Sequence, residues 1–519
     1  MDLFSNPELI RSVRAQLRWG RMISVAAICA VLSLVVGYAL AHSGPPGQWG
    51  MQLLQIALGT QAVALVLGGS IACLNAIHRE KEMNTFDFQR VTRLTPWELA
   101  VGKLFGAPVV VYFAVLCLMP AALVGAIVGG ARPTMVAVAY VILLLGSITM
   151  HSFALVISLF HQRGTNTAAV LLLIILLWGS GVGIGHRFMF ELGALSPFAS
   201  ISVADETSWL LSPPVAKDLS PVPDSFSRPD VFFGLRFHHV PVLLVLYITF
   251  SAWFLLAVTR NIKRDPSAYE LYTPQQSLAL LVFVNVLMLG FYRWGGSSIF
   301  SNTPMEGLQQ QSFFLWTNLG LFFVLGLTLV RNRDRVRRRL REMGDAASSW
   351  FAALWPLPYV FVGMLLVGVA AVAMIHGHRN PKSEWDFALA SFRMLFVALW
   401  LARDLLYLQW MNLTRVKRPL TMGFLYLIVF YVCTTVAFVS LGFYDSPSGQ
   451  AITANFAPSA VFDLSEKEWA GNEMPWTLAL LSQLAVAGIF AYLHRQKLLE
   501  LAPSPAIAPA AESPLPTVV

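Results

Sequence analysis

Apolar residues in this chain come in near-continuous runs of about 20, the length an α-helix needs to cross about 30 Å of hydrocarbon. They do not show the period-2 alternation of half-buried strands or the narrow apolar stripe of helices on a soluble core. The runs lie near residues 22–41, 51–76, 104–129, 134–160, 168–185, 240–259, 277–293, 313–330, 354–375, 387–406, 420–443 and 476–493. This pattern predicts an all-α integral membrane protein of about twelve transmembrane helices. The first run follows Arg11, Arg14, Arg18 and Arg21. It is too long for the apolar stretch of a secretory signal and no small-residue cleavage site follows it, so it reads as a retained first helix.

Composition agrees with lipid as the main solvent. Of 519 residues, 56% are hydrophobic and only 12% charged, against about 25% charged in soluble domains. All four cysteines sit inside apolar runs and read as small hydrophobes rather than as a disulfide framework. With both termini cytoplasmic, most of the 36 Lys and Arg fall on the cytoplasmic side, as the positive-inside rule requires. The seven arginines from Arg331 to Arg341 weigh most in this choice. Their cluster, like the net charge of +8, is explained by topology and contact with anionic lipid, so no nucleic-acid partner is expected. The expected location is the plasma membrane, multi-pass, the inner membrane in a bacterium.

Two long loops, 186–239 and 444–475, are expected outside, after the fifth and the eleventh helix. Each holds a similar string ahead of the next helix, Ser196-Pro197-Phe198-Ala199-Ser200-Ile201 and Ala457-Pro458-Ser459-Ala460-Val461-Phe462. A recurrence six helices apart points to duplication. The organisation expected is therefore a first six-helix unit over 1–265, a second, diverged one over 266–497, and a disordered cytoplasmic tail over 498–519 that is rich in Pro and Ala. The opening stretch from Asn6 to Arg21 reads as an amphipathic elbow helix at the cytoplasmic face.

The most informative stretch joins the second and third helices, from His78-Arg79-Glu80-Lys81-Glu82-Met83-Asn84 through Thr85-Phe86-Asp87-Phe88 to Leu94-Thr95-Pro96-Trp97-Glu98, ending on Gly102-Lys103-Leu104. It predicts a short helix with Phe86 and Phe88 near its start, a break, and a new helix start. At that start Thr95 is the N-cap, Glu98 completes a capping box, and Pro96 occupies the first helical position, where its missing N–H costs nothing.

This segment resembles the connector between the second and third helices of the type 2 ABC exporter permease family. The resemblance covers the first half of the chain, while the second half shares only helix count and the loop string. It implies a coupling helix that docks an ATPase subunit through Glu80, Glu82, Thr85, Phe86, Asp87, Phe88, Thr95, Pro96, Trp97 and Glu98. It also implies that ATP is bound by that partner, a dimeric ABC ATPase, and that this chain is a permease without an enzymatic site of its own. One chain would supply both transmembrane halves, or two chains would form a homodimer.

The residues also say what is missing. No Gly-x-x-x-x-Gly-Lys-Ser/Thr loop occurs, so no nucleotide cofactor is expected on this chain. No metal is expected either, because His376 and His378, like His238 and His239, lack further ligands at suitable spacing. Arg393, inside the tenth run, is the one intramembrane ionisable candidate for contact with substrate or lipid. Arg403 and Asp404 read as a pair capping the interfacial end of the same helix, and His151 as a partner in an interhelical hydrogen bond. Two other functions fit the composition. One is a membrane-embedded enzyme acting on a lipid-linked substrate through its outer loops, where Asp205, Glu206, Asp218, Asp224 and Asp230 supply acids without a recognised spacing. The other is a transport-inactive sensor or assembly subunit.

Overall fold

In a computed structural model the described residues are 6–42, 44–160, 230–232, 235–237, 239–265, 269–290, 333–343, 387–417, 419–443, 446–456 and 472–501, with a few isolated positions. They are almost wholly helical, and eight helices are long and apolar enough to cross a membrane. Apart from isolated positions, the expected helices near 168–185, 313–330 and 354–375, the strings at 196–201 and 457–462, and most of the two long loops lie outside the described residues. Chain contacts divide the molecule into two compact units, Met1–Leu271 with Gly290–Pro304, and Tyr272–Leu289 with Met305–Val519.

The first unit begins with α1 (Pro7–Gln16), α2 (Trp19–Ala41) and α3 (Pro46–Val63). A π-helical turn, Ala64–Gly69, carries α3 directly into α4 (Ser70–Glu82). Then come α5 (Phe86–Val91), α6 (Pro96–Gly106), α7 (Val109–Gly129), α8 (Pro133–Phe160) and α9 (His239–Asn261). Glycine sets the central crossing of α3 on α7. A Cβ on Gly125 would lie 2.7 Å from the Leu54 amide nitrogen, and one on Gly129 2.7 Å from that of Met51. The two backbones therefore touch, as small residues allow between helices in lipid, and Leu54, Leu58, Ala122 and Ala126 fill the space around the contact. By contrast α2 is nearly unpacked, with Ile23, Leu34 and Tyr38 exposed, a surface that suits lipid and would be a liability in water.

Two expectations are corrected here. The third apolar run is two helices rather than one, because Pro108 lacks the amide that would continue the hydrogen-bond ladder between α6 and α7. The second run extends to Glu82, well into the polar stretch. The all-α expectation holds, with one small antiparallel ribbon beside the helices, β1 (Asp230–Phe232) and β2 (Leu235–Phe237).

The second unit contains α10 (Pro274–Gly290), α11 (Arg333–Met343), α12 (Phe387–Leu413), α13 (Pro419–Ser440), α14 (Pro447–Ala454) and α15 (Glu473–Leu501). Its core gathers Phe392, Phe396 and Trp476 around Ala451 and Ala454 of α14. Helix α15 runs on to Leu501, so the chain from 498 is still helical there and not yet tail.

Candidate functional site

The connector from Arg79 to Gly106 is a built object rather than a loop. Helix α4 ends in a Schellman motif: the Thr85 amide bonds the Glu80 carbonyl at 2.9 Å, the Asn84 amide bonds that of Lys81 at 3.2 Å, and Asn84 takes φ 55°. Asparagine is one of the few residues other than glycine that tolerates this left-handed position. The reversal it makes delivers α5 and then α6. Asn84→Val is expected to cost about 1–2 kcal/mol, and Asn84→Gly to be neutral or stabilising, as thermal unfolding in detergent will show.

The start of α6 matches the sequence reading. Thr95 Oγ1 accepts from the Glu98 amide at 3.2 Å, the Thr95 amide donates to Glu98 Oε2 at 2.6 Å, and Pro96 is the first helical residue. The Thr95 amide, followed by its hydroxyl, holds the Glu98 carboxyl below its usual range. A carboxyl depressed in the folded state stabilises above its unfolded pKa, and that stabilisation is lost as pH falls through the folded value. The cap should therefore be intact at neutral pH and loosen on acidification. Protease sensitivity near Thr92–Arg93 should rise with acid in the wild type and be high at all pH in Glu98→Ala.

Behind the connector lies a buried charge network that the sequence reading missed. Lys103 of α6, 3% exposed, ion-pairs with Glu80 of α4 and lies 3.4 Å from Glu8 of α1. Arg11 closes the ring, reaching Glu8 at 2.7 Å and Glu80 at 3.0 Å, and Gln89 of α5 donates to Glu80 at 2.7 Å. Two carboxylates thus meet two cations, so the cluster is neutral, and the hydrogen bond from Arg11 to Glu8 raises the guanidinium pKa further. Helix α1 lies directly on α6. Asn6 caps α1 through the Glu8 and Leu9 amides while its Nδ2 donates to the Glu98 carbonyl at 2.7 Å, and Gln16 reaches the Gly106 carbonyl at 3.3 Å. Gly102 and Gly106 make the approach possible, since Cβ atoms there would sit 2.7 Å from Glu8 Cβ and from Ser12 Cβ.

Other ties fix the outer turn. Lys81 donates to the Leu159 carbonyl at 2.6 Å, at the C-terminal end of α8, and its ammonium lies between the rings of Phe86 and Tyr269. Burial raises the Tyr269 hydroxyl to about 12. Lys263 donates to the Thr92 carbonyl at 2.7 Å, and Arg90 sits between Asp87 at 2.7 Å and Asp265 at 3.9 Å.

The ten connector residues singled out by the sequence thus separate into two groups. Glu80 and Phe86, the latter 3% exposed, face inward and hold the element together. Glu82, Thr85, Asp87, Phe88, Thr95, Pro96 and Trp97 are exposed and Glu98 is half-buried. Phe88 is 75% and Trp97 54% exposed, joined by Met83 and Val91. A rigid element with four large apolar side chains in the open and acids beside them can form the core of an interface.

Two further polar clusters lie in the helices. His151 of α8 is, as expected, an interhelical hydrogen-bond partner: Nε2 meets the Leu65 carbonyl at 2.8 Å and Nδ1 the Tyr112 hydroxyl at 2.9 Å. A carbonyl only accepts, so Nε2 carries the proton and Tyr112 donates to Nδ1. Leu65 belongs to the π turn, and Gly69 gives the ring its seat. In the second unit Arg403 and Asp404 do not cap an interface; they are 7% and 2% exposed and knit α12 to α13 and to the end of α14. The Tyr431 hydroxyl bonds both Asp404 oxygens at 2.6 and 2.5 Å as well as Arg403, and Arg403 Nη1 donates to the Asn455 carbonyl at 3.0 Å. Burial of an adjacent ion pair was illegible because Tyr431 and Asn455 are remote in sequence. Arg393 is 2% exposed, inside the unit rather than on its outer surface. Among the described residues no group of three metal-ligating side chains occurs.

Comparisons with protein-family models, curated proteins and solved structures find no match to the chain, so the site is read from its own chemistry.

Proposed function

We propose that the chain is the permease subunit of an ATP-driven exporter of the type 2 ABC class, with the connector as the surface that receives a separate ATPase subunit. In this reading about twelve helices in two six-helix halves cross the plasma membrane, both termini are cytoplasmic, and the ATPase dimer binds the nucleotide. The observation that carries the reading is the connector's division into an inward, charge-locked side and an outward side bearing Met83, Asp87, Phe88, Val91 and Trp97. A lever needs both: an apolar anchor for its partner and stiff attachment to the membrane helices. Glu80 and Phe86 serve the attachment, and the exposed residues serve the docking. The connector also shares one end of the first unit with α1, as the hydrogen bond from Asn6 to the Glu98 carbonyl of α6 requires, which agrees with both being cytoplasmic.

The test is a photo-crosslinking amino acid placed at Phe88 or Trp97 of the full chain in cells. The expected product is an adduct with a protein carrying a P-loop, and its yield should fall at least about tenfold when Val91 and Met83 are both changed to Ala, given more than about 1 kcal/mol from a typical hot-spot side chain. Adducts with lipid alone, or no adduct, overturn the proposal.

A further inference from the structure

The arginine-rich helix α11 is not explained by transport. Its Val336 and Leu340, one turn apart, are buried against Leu413, the last residue of α12, and against Leu498 and Leu501 in the final turn of α15. Both partner helices have membrane-crossing length and pack along each other. Their C-terminal ends therefore converge on α11.

Charge accumulates at this end. Helix α11 carries six arginines against Asp334 and Glu342. Exposed Arg415 and Lys417 follow α12, while Arg495 and Lys497 lie in the last turns of α15 with Glu500 as the acid beside them. The carbonyl ends of two helices offset only about one unit of positive charge between them, roughly half a charge each. Most of the excess remains, and Arg337 and Arg341 present it outward beside the buried apolar edge.

We infer that this end of the second unit is a binding surface for anionic phospholipid headgroups. An apolar edge locked onto the ends of membrane-length helices fixes the depth of α11, and depth plus surplus positive charge selects a phosphate-bearing lipid over a neutral one. Each juxtamembrane arginine favours an anionic surface by a factor of about five. The inference does not rest on the transport reading.

The test uses the full chain reconstituted in phosphatidylcholine vesicles with a trace of spin-labelled lipid, comparing the motionally restricted fraction for labelled phosphatidylglycerol and labelled phosphatidylcholine. Selectivity for phosphatidylglycerol is expected in the wild type. It should fall about fivefold or more in R337Q/R338Q/R339Q/R341Q and be retained when the same four residues become Lys. Because Val336 and Leu340 are untouched, α11 keeps its anchor in both variants. The wild type in about 1 M salt, where charges are screened beyond about 3 Å, supplies a second measure and should lose most of its selectivity. Equal restriction of the two lipids by the wild type, the result expected if the arginines meet an acidic protein surface instead, overturns the inference, as does full selectivity in the Gln variant.

Discussion

Replacing Lys103 by Met is expected to lower the stability of the first unit by about 3–5 kcal/mol, the usual cost of leaving a buried charge without its partner. The Lys103 ammonium lies between Glu8 and Glu80, all three side chains being largely out of solvent. Methionine fills the same volume, so the loss reports charge rather than a cavity. Arg11, at 57% side-chain exposure, is too solvated to replace it. The visible consequence is detachment of α1: a cysteine introduced at Ser12, which faces Gly106, should become reactive in K103M and stay protected otherwise. Adding Glu8→Gln to K103M should recover part of the stability, because Arg11 then faces one carboxylate, Glu80, instead of two. Equal thermal stability of wild type and K103M would mean that the network contributes nothing.

The second large effect lies in the glycine crossing. Gly125→Leu is expected to cost more than the roughly 1–3 kcal/mol of ordinary overpacking, because the added atoms meet the backbone of α3 at Leu54 and not a side chain able to turn aside. Gly125→Ala should already cost within that range. Gly37→Leu is the control: nothing lies within 4 Å of a Cβ at that position on α2, so stability should hold or rise. Unfolding temperatures in one detergent for the three variants decide the matter, and equal losses at Gly37 and Gly125 would refute the backbone-contact account.

What the sequence made legible was local or periodic. The apolar runs mark the eight long helices because lipid demands about 20 apolar residues and little else. The Thr95 capping box was readable because both partners lie within four residues and their chemistry is specific. The ion network was not, because Glu8, Glu80 and Lys103 are brought together from three separate helices and each alone reads as a solvated charge. The same holds for Arg403 and Asp404 with Tyr431. Helix α4 outran its expected end because Glu80 and Lys81 find tertiary partners, which lets polar residues continue a helix that hydropathy alone would stop. Phe86 and Phe88 illustrate the limit most simply. Two positions apart on a six-residue helix, they are indistinguishable in the sequence, yet one is buried and the other open.

The π turn at Ala64–Gly69 fixes the angular register of everything beyond it. A π turn holds a surplus residue relative to regular α-helix, and one residue corresponds to about 100° of rotation at 3.6 residues per turn. Straightening the turn by deleting one of its residues would swing the far end of α4 by that angle and carry Glu80 away from Lys103, although no residue of the network had been altered. The imidazole of His151, bonded to the Leu65 carbonyl, thus works as a detent: it keeps the winding of one helix phased with a charge cluster three turns further along.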